Sequence, residues 1–203
     1  ASGTDAILIG SKIEAIAEDT FAADNNKTKL VFSTGASAAA DSKFEIASDG
    51  SLSTPTAGTS NTRFGVNAGN SIASGGANNA IFGDEAGTAL TTGKKATLIG
   101  VESGDALVDG DNNVAVGYQS LSADTNGEKS VAVGTFSLLA QNFSTLTDSH
   151  NTAVGYQAGT AVTTGIENAL FGSRAGVSLT DADKNTAIGE EALKQLALAD
   201  DYP

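Results

Sequence analysis

Between residues 61 and 193 the apolar positions come in short groups at even intervals, without a helical period and without long alternating runs. Eight times a bulky apolar residue stands directly before a glycine, at Phe64, Phe82, Ile99, Val116, Val133, Val154, Phe171 and Ile188. The glycines that follow (Gly65, Gly83, Gly100, Gly117, Gly134, Gly155, Gly172 and Gly189) are spaced 18, 17, 17, 17, 21, 17 and 17 positions apart. A unit this short cannot enclose a core of its own, so the pattern predicts coils stabilised by stacking on their neighbours. Three residues after each glycine stands Ala or Ser. Seven after it stand Ile72, Leu90, Leu107, Val162, Leu179 and Leu196, with Asp124 and Gln141 as exceptions. The fold expected is all-β: a parallel β-solenoid of about eight 17-residue coils with two short strands each, roughly 40 Å long at one strand spacing per coil.

The residue before each glycine, never polar, reads as the inward anchor, and the eight together as a core column: Phe64, Phe82, Ile99, Val116, Val133, Val154, Phe171 and Ile188. Two before the glycine, on the opposite strand face, stand Arg63 and then Ile81, Leu98, Ala115, Ala132, Ala153, Leu170 and Ala187. Strands apolar on both faces are normally covered on both. The second row is therefore expected to be an assembly stripe that meets another chain. Four before the glycine, Asn61, Asn79, Asn113, Asn151, Asn168 and Asn185 recur, with Ala96 and Ser130 departing, and read as a stacked amide ladder or a corner. Gly75, Gly93, Gly110, Gly127 and Gly165, ten after the motif glycine, are expected at turns needing positive φ.

Residues 1–60 do not repeat. Three β-like runs occur there: Ala6, Ile7, Leu8 and Ile9; Lys29 to Phe32; and Lys43 to Ile46. The first is isolated near a terminus and is a candidate donated strand for the open edge of a neighbouring solenoid. Ser11 to Ala23 fits a helix instead, since Ile13, Ile16 and Ala17 share a face. The chain thus divides into an N-terminal β segment and linker (1–60), the solenoid (61–193) and a C-terminal cap or short helix (194–203).

Charge and composition narrow the function classes. The 203 residues carry a net charge of −13 and only 5% aromatic residues, with no Trp. Without a basic stripe there is nothing to neutralise nucleic-acid phosphates, and no apolar run is long enough for a membrane helix. Absence of cysteine excludes disulfides and thiolate metal sites. Absence of methionine reads as a processed product or a fragment.

Reactive constellations are not found. One histidine, His150, does not make a zinc site, and neither a nucleophile elbow nor a phosphate-binding loop occurs. No catalytic residue, cofactor site or metal site is assigned. Asp109 and Asp111, echoed by Asp181 and Asp183, sit at one corner of their coils and mimic the start of a calcium loop, but the required glycine does not follow. Weak calcium binding at the Asp109/Asp111 corner and a solvated acidic turn both stay open. Tyr118-Gln119 and Tyr156-Gln157 suit either a sugar or an interface between chains.

The run Asn151-Thr-Ala-Val-Gly155-Tyr-Gln-Ala-Gly159, with Thr163-Thr-Gly165 and Asn168-Ala-Leu-Phe-Gly172, resembles the head repeats of trimeric autotransporter adhesins and, equally, repeats of bacteriophage tail fibres. The likeness covers residues 61–193. It implies a left-handed parallel β-roll whose copies pack around an axis, although the adhesin period is usually shorter than 17. The function expected is a non-enzymatic structural subunit of an extracellular or virion fibre. Its partners would be copies of itself, as a homotrimer or a polymer, with no nucleic acid and no membrane insertion. The alternative is a glycan-binding adhesin or phage receptor-binding module that grips a cell-surface glycan.

Overall fold

The computed structural model describes residues 11–18, 27–34, 41–48, 52–54 and 58–194. The chain forms two compact units, 1–55 and 56–203, so the division falls a few residues before the expected boundary at 60. No helix occurs among the described residues. The proposed donated strand, Ala6 to Ile9, and the cap from residue 195 onward lie outside the described residues.

The first unit is an antiparallel meander of β1 (Ser11–Ala17), β2 (Thr28–Thr34), β3 (Asp41–Ile46) and β4 (Leu52–Ser53). The helix considered for Ser11 to Ala23 does not form over Ser11–Ala17. These seven residues instead pair throughout with β2, from Ser11 opposite Thr34 to Ala17 opposite Thr28. A short helix is marginal in water on its own, whereas a full ladder satisfies the same backbone groups. β2, in the interior of the sheet, buries Val31 and Ser33. Phe32 packs on Phe44 with ring centroids 5.8 Å apart, and the Lys29 ammonium meets Glu45 at 3.0 Å.

The second unit is a parallel β-solenoid of about seven turns. Its eight-stranded sheet contains β5 (Thr62–Phe64), β6 (Ala80–Phe82), β7 (Thr97–Ile99), β8 (Val114–Val116), β10 (Val131–Val133), β12 (Thr152–Val154), β13 (Ala169–Phe171) and β14 (Thr186–Ile188). Strands stack in chain order and in register, so Ala115 pairs with Ala132 and Ala132 with Ala153. The second strand expected in every coil forms only once, where β9 (Gly127–Glu128) pairs with β11 (Thr147–Asp148). Elsewhere tight turns replace it.

Glycine is required where coils touch. The motif glycines from Gly65 to Gly172 have φ between +130° and +141°, and an added Cβ would stand 2.2–2.7 Å from the carbonyl oxygen of the equivalent glycine one coil on. The second glycine row needs correction. Only Gly75 in that row has a positive φ, of +117°. Gly110 and Gly165 are there for close approach, since a Cβ would lie 2.2 and 2.4 Å from a carbonyl of the next coil. The left-handed backbone is carried largely by non-glycine residues, among them Lys95, Glu102, Lys184 and Glu191.

The two faces of the strands are exchanged relative to the sequence reading. Ile81, Leu98, Ala115, Ala132, Ala153, Leu170 and Ala187, expected as the assembly stripe, are at most 2% exposed and form the interior. The expected core column lies outside: Phe64, Phe82, Ile99, Phe171 and Ile188 are 38–74% exposed, and Val116, Val133 and Val154 are half-buried. The coil is too thin for a column of Phe. Its cross-section is closed by the residue two before the glycine together with those three, four and seven after it.

Interior volume is shared between positions. Where Ile81, Leu98 or Leu170 fills the strand position, the residue four after the motif glycine is Gly87, Gly104 or Gly176, and a Cβ there would meet Leu98 or Leu170 at 2.7–2.8 Å. Where the strand residue is Ala115 or Ala132, that site is Leu121 or Leu138, fully buried despite a φ of 55° or 47°. Those two coils carry Asp124 and Gln141 in place of the usual apolar residue seven after the glycine. Both are buried, and Gln141 Nε2 donates to Asp124 Oδ2 at 2.5 Å and to Ser130 Oγ at 2.8 Å.

Candidate assembly surface

The outward row before the glycines runs unbroken along the eight-stranded sheet because the register is strict. Phe64 and Phe82 stack with ring centroids 5.3 Å apart. A second outward row follows the glycines, where Val66, Val101, Tyr118 and Tyr156 are exposed. Phe136 stands edge-on between the two tyrosines, 5.3 Å from Tyr118 and 6.4 Å from Tyr156. The sheet therefore presents a continuous apolar ridge to the outside over all of its strands. Ridges of this extent are rare on monomeric proteins and mark sites of association.

The Asn ladder holds the sheet at its entering edge. Asn79 N and Nδ2 both donate to Asn61 Oδ1 at 3.0 Å, and Asn79 Oδ1 accepts from Ala96 N at 2.8 Å. Asn113 Oδ1 accepts from Ser130 N at 2.9 Å. In the last coils Asn151 Oδ1 accepts from Asn168 N, and Asn168 Oδ1 from Asn185 N, each at 2.9 Å. Each buried side-chain oxygen thus satisfies a backbone N–H one coil on, and Nδ2 of Asn61, Asn79, Asn113, Asn151 and Asn168 reaches a backbone carbonyl. The ladder is internal structure. The left-handed corner residue is the one before it, such as Lys95 or His150.

The acidic corner is engaged between coils. Asp109 Oδ1 accepts from Thr92 Oγ1 at 2.6 Å and Thr91 Oγ1 at 2.7 Å, and these bonds hold its carboxyl below the usual range. Asp111 Oδ1 accepts from Lys94 N at 2.8 Å, and Asp183 Oδ1 does the same for Ile166 N. Among the described residues no group of three or more His, Cys, Asp or Glu side chains is placed to hold a metal. Asp124 is the buried exception in charge. Burial raises its carboxyl although Gln141 and the N–H groups of Gly127 and Phe143 donate to it.

Two rows bracket the ridge. One stands two residues before each strand and holds Lys95, Lys129, His150, Glu167 and Lys184; the other, three residues after each strand, holds Glu85, Glu102, Arg174 and Glu191. Both rows are left-handed corners at the ends of the flat face. Sequence reasoning missed them because neither belongs to the apolar pattern. Compared with known proteins, the chain matches no family model, no curated protein and no solved structure.

Proposed function

We propose that this chain is a non-enzymatic structural subunit of an extracellular or virion fibre, assembling with copies of itself as a trimer or a filament. The observation that carries the reading is the outward ridge from Phe64 to Ile188, which exposes large apolar side chains toward both ends of the sheet and half-exposes Val116, Val133 and Val154 between them. Covering such a ridge is favourable at roughly 25 cal/mol per Å² of apolar surface removed from water. The resemblance to adhesin heads and tail fibres accords with this use of a solenoid. The test is sedimentation velocity of wild type against a Phe82→Ser/Phe171→Ser variant, with electron micrographs of both. Wild type is expected to run as an oligomer or filament and the variant as a folded monomer; a monomeric wild type at high concentration sinks the reading.

A second reading rests on the Tyr118, Phe136 and Tyr156 rings, aligned on three successive coils with both tyrosines exposed. Aromatic faces of this kind can stack on sugars, with Gln157 beside them to hydrogen-bond. Binding on a sugar array, lost in Tyr118→Ala/Tyr156→Ala with assembly intact, would favour a glycan-binding module.

A further inference from the structure

We infer that copies of this chain pack with their solenoids parallel and in register, and that ion pairs between the basic rim of one copy and the acidic rim of the next set that register. The inference rests on the proposed self-assembly and concerns its geometry. In the third coil the rim before the strand carries Lys95 and the rim after it Glu102; in the eighth they carry Lys184 and Glu191. The seventh coil inverts both at once, with Glu167 before the strand and Arg174 after it. No coil carries like charges on its two rims.

These pairs are not made within a copy. The two rim residues of one coil stand at opposite ends of a strand, seven positions apart, and no ion pair joins Lys95 to Glu102, Glu167 to Arg174 or Lys184 to Glu191. The ion pairs observed near them run along a rim between adjacent coils, Glu167 with Lys184 at 3.7 Å and Arg174 with Glu191 at 2.7 Å. Such pairs account for alternation along one rim. They do not account for the opposite sign at the same level of the other rim, nor for Lys95, which makes no ion pair with any described residue.

Rotation about an axis along the solenoid satisfies the whole set. It brings the leading rim of one copy against the trailing rim of its neighbour at equal height, so Lys95 meets Glu102, Glu167 meets Arg174 and Lys184 meets Glu191. An antiparallel, face-to-face pair would set each rim against its own kind at reversed height, leaving Lys95, Glu167 and Lys184 opposite no complementary charge and keeping only Glu85 opposite Arg174. A shift of one coil would put Glu167 against Glu191 or Lys184 against Arg174. Rim charges act chiefly on register and on rejection of wrong pairings, and the inverted coil supplies that discrimination.

The test measures self-association by sedimentation for wild type, Lys95→Glu, Glu102→Lys and the double exchange Lys95→Glu/Glu102→Lys, at low and high salt. Each single change is expected to weaken association by about fivefold or more at low salt, the double exchange to restore it, and high salt to flatten the differences. Circular dichroism checks that all four remain folded. Single changes without effect, or a double no better than the singles, in the presence of an assembling wild type would overturn the parallel register and leave assembly through the ridge standing. A wild type that does not associate would overturn both.

Discussion

At the scale of single residues, neighbours in sequence have opposite duties. Leu170 is fully buried and its neighbour Phe171 is exposed on the ridge. Leu170→Ala is expected to cost about 2–5 kcal/mol in chemical denaturation, while Phe171→Ala, which removes a ring 41% exposed, costs the isolated subunit less and weakens association. Asp124 supplies a pH dependence. Its carboxyl is raised in the folded state, so its contribution is fully present below the unfolded value near 3.9 and is lost as pH rises through the folded value. The stability of wild type relative to Asp124→Asn should therefore fall as pH is raised from that value, read from urea midpoints. The exchange of faces was the main thing not legible in the sequence. Both strand rows are apolar, and bulk alone pointed to Phe as core. The usable signal was compensation: a large strand residue goes with glycine four after the motif, as in Leu98 with Gly104, and Ala115, Ala132 and Ala187 go with Leu121, Leu138 and Leu193, with Ala153 and Gly159 departing. Such trading of volume requires a common enclosed space.

At the scale of the element, the strands and their period were legible because each coil repeats one steric demand, a glycine whose hydrogen atoms face the next carbonyl. Gly155 and Gly189 separate that demand from backbone strain. Both have positive φ, yet a Cβ on Gly155 would lie 2.3 Å from Gly172 O, and one on Gly189 would meet nothing within 4 Å. Gly155→Ala is expected to destabilise more than Gly189→Ala by upwards of about 1 kcal/mol, measured by thermal or urea unfolding. The amide ladder was also legible, though its chemistry is more exacting than a stack of side chains. Asn151→Ala would leave Gly165 O, Asn168 N and Gln141 Oε1 without their buried partner, an expected loss of about 1–3 kcal/mol. Strand β1 was less legible, because Ile13, Ile16 and Ala17 lie on one helical face and only the pairing with β2 decides between the two.

At the scale of the whole molecule, the division into a non-repeating segment and a solenoid was readable from the loss of the glycine period before residue 61. The surface that joins copies was readable only as a necessity, since the sequence says that both strand faces need cover without saying which one is already covered. Assembly makes stability depend on amount of protein. The thermal midpoint of wild type is expected to rise with protein concentration, and that of Phe82→Ser/Phe171→Ser to stay constant.

The coil with 21 residues between its glycines shows what the stack counts. Residues 142–149 absorb the extra length at a corner, while Val131 still pairs with Thr152 and Val133 with Val154. Length is therefore free at the corners and fixed in the strands. A gene for such a chain can grow or shrink by whole rungs, as a ladder is lengthened by splicing, because the backbone bonds between coils each join adjacent rungs.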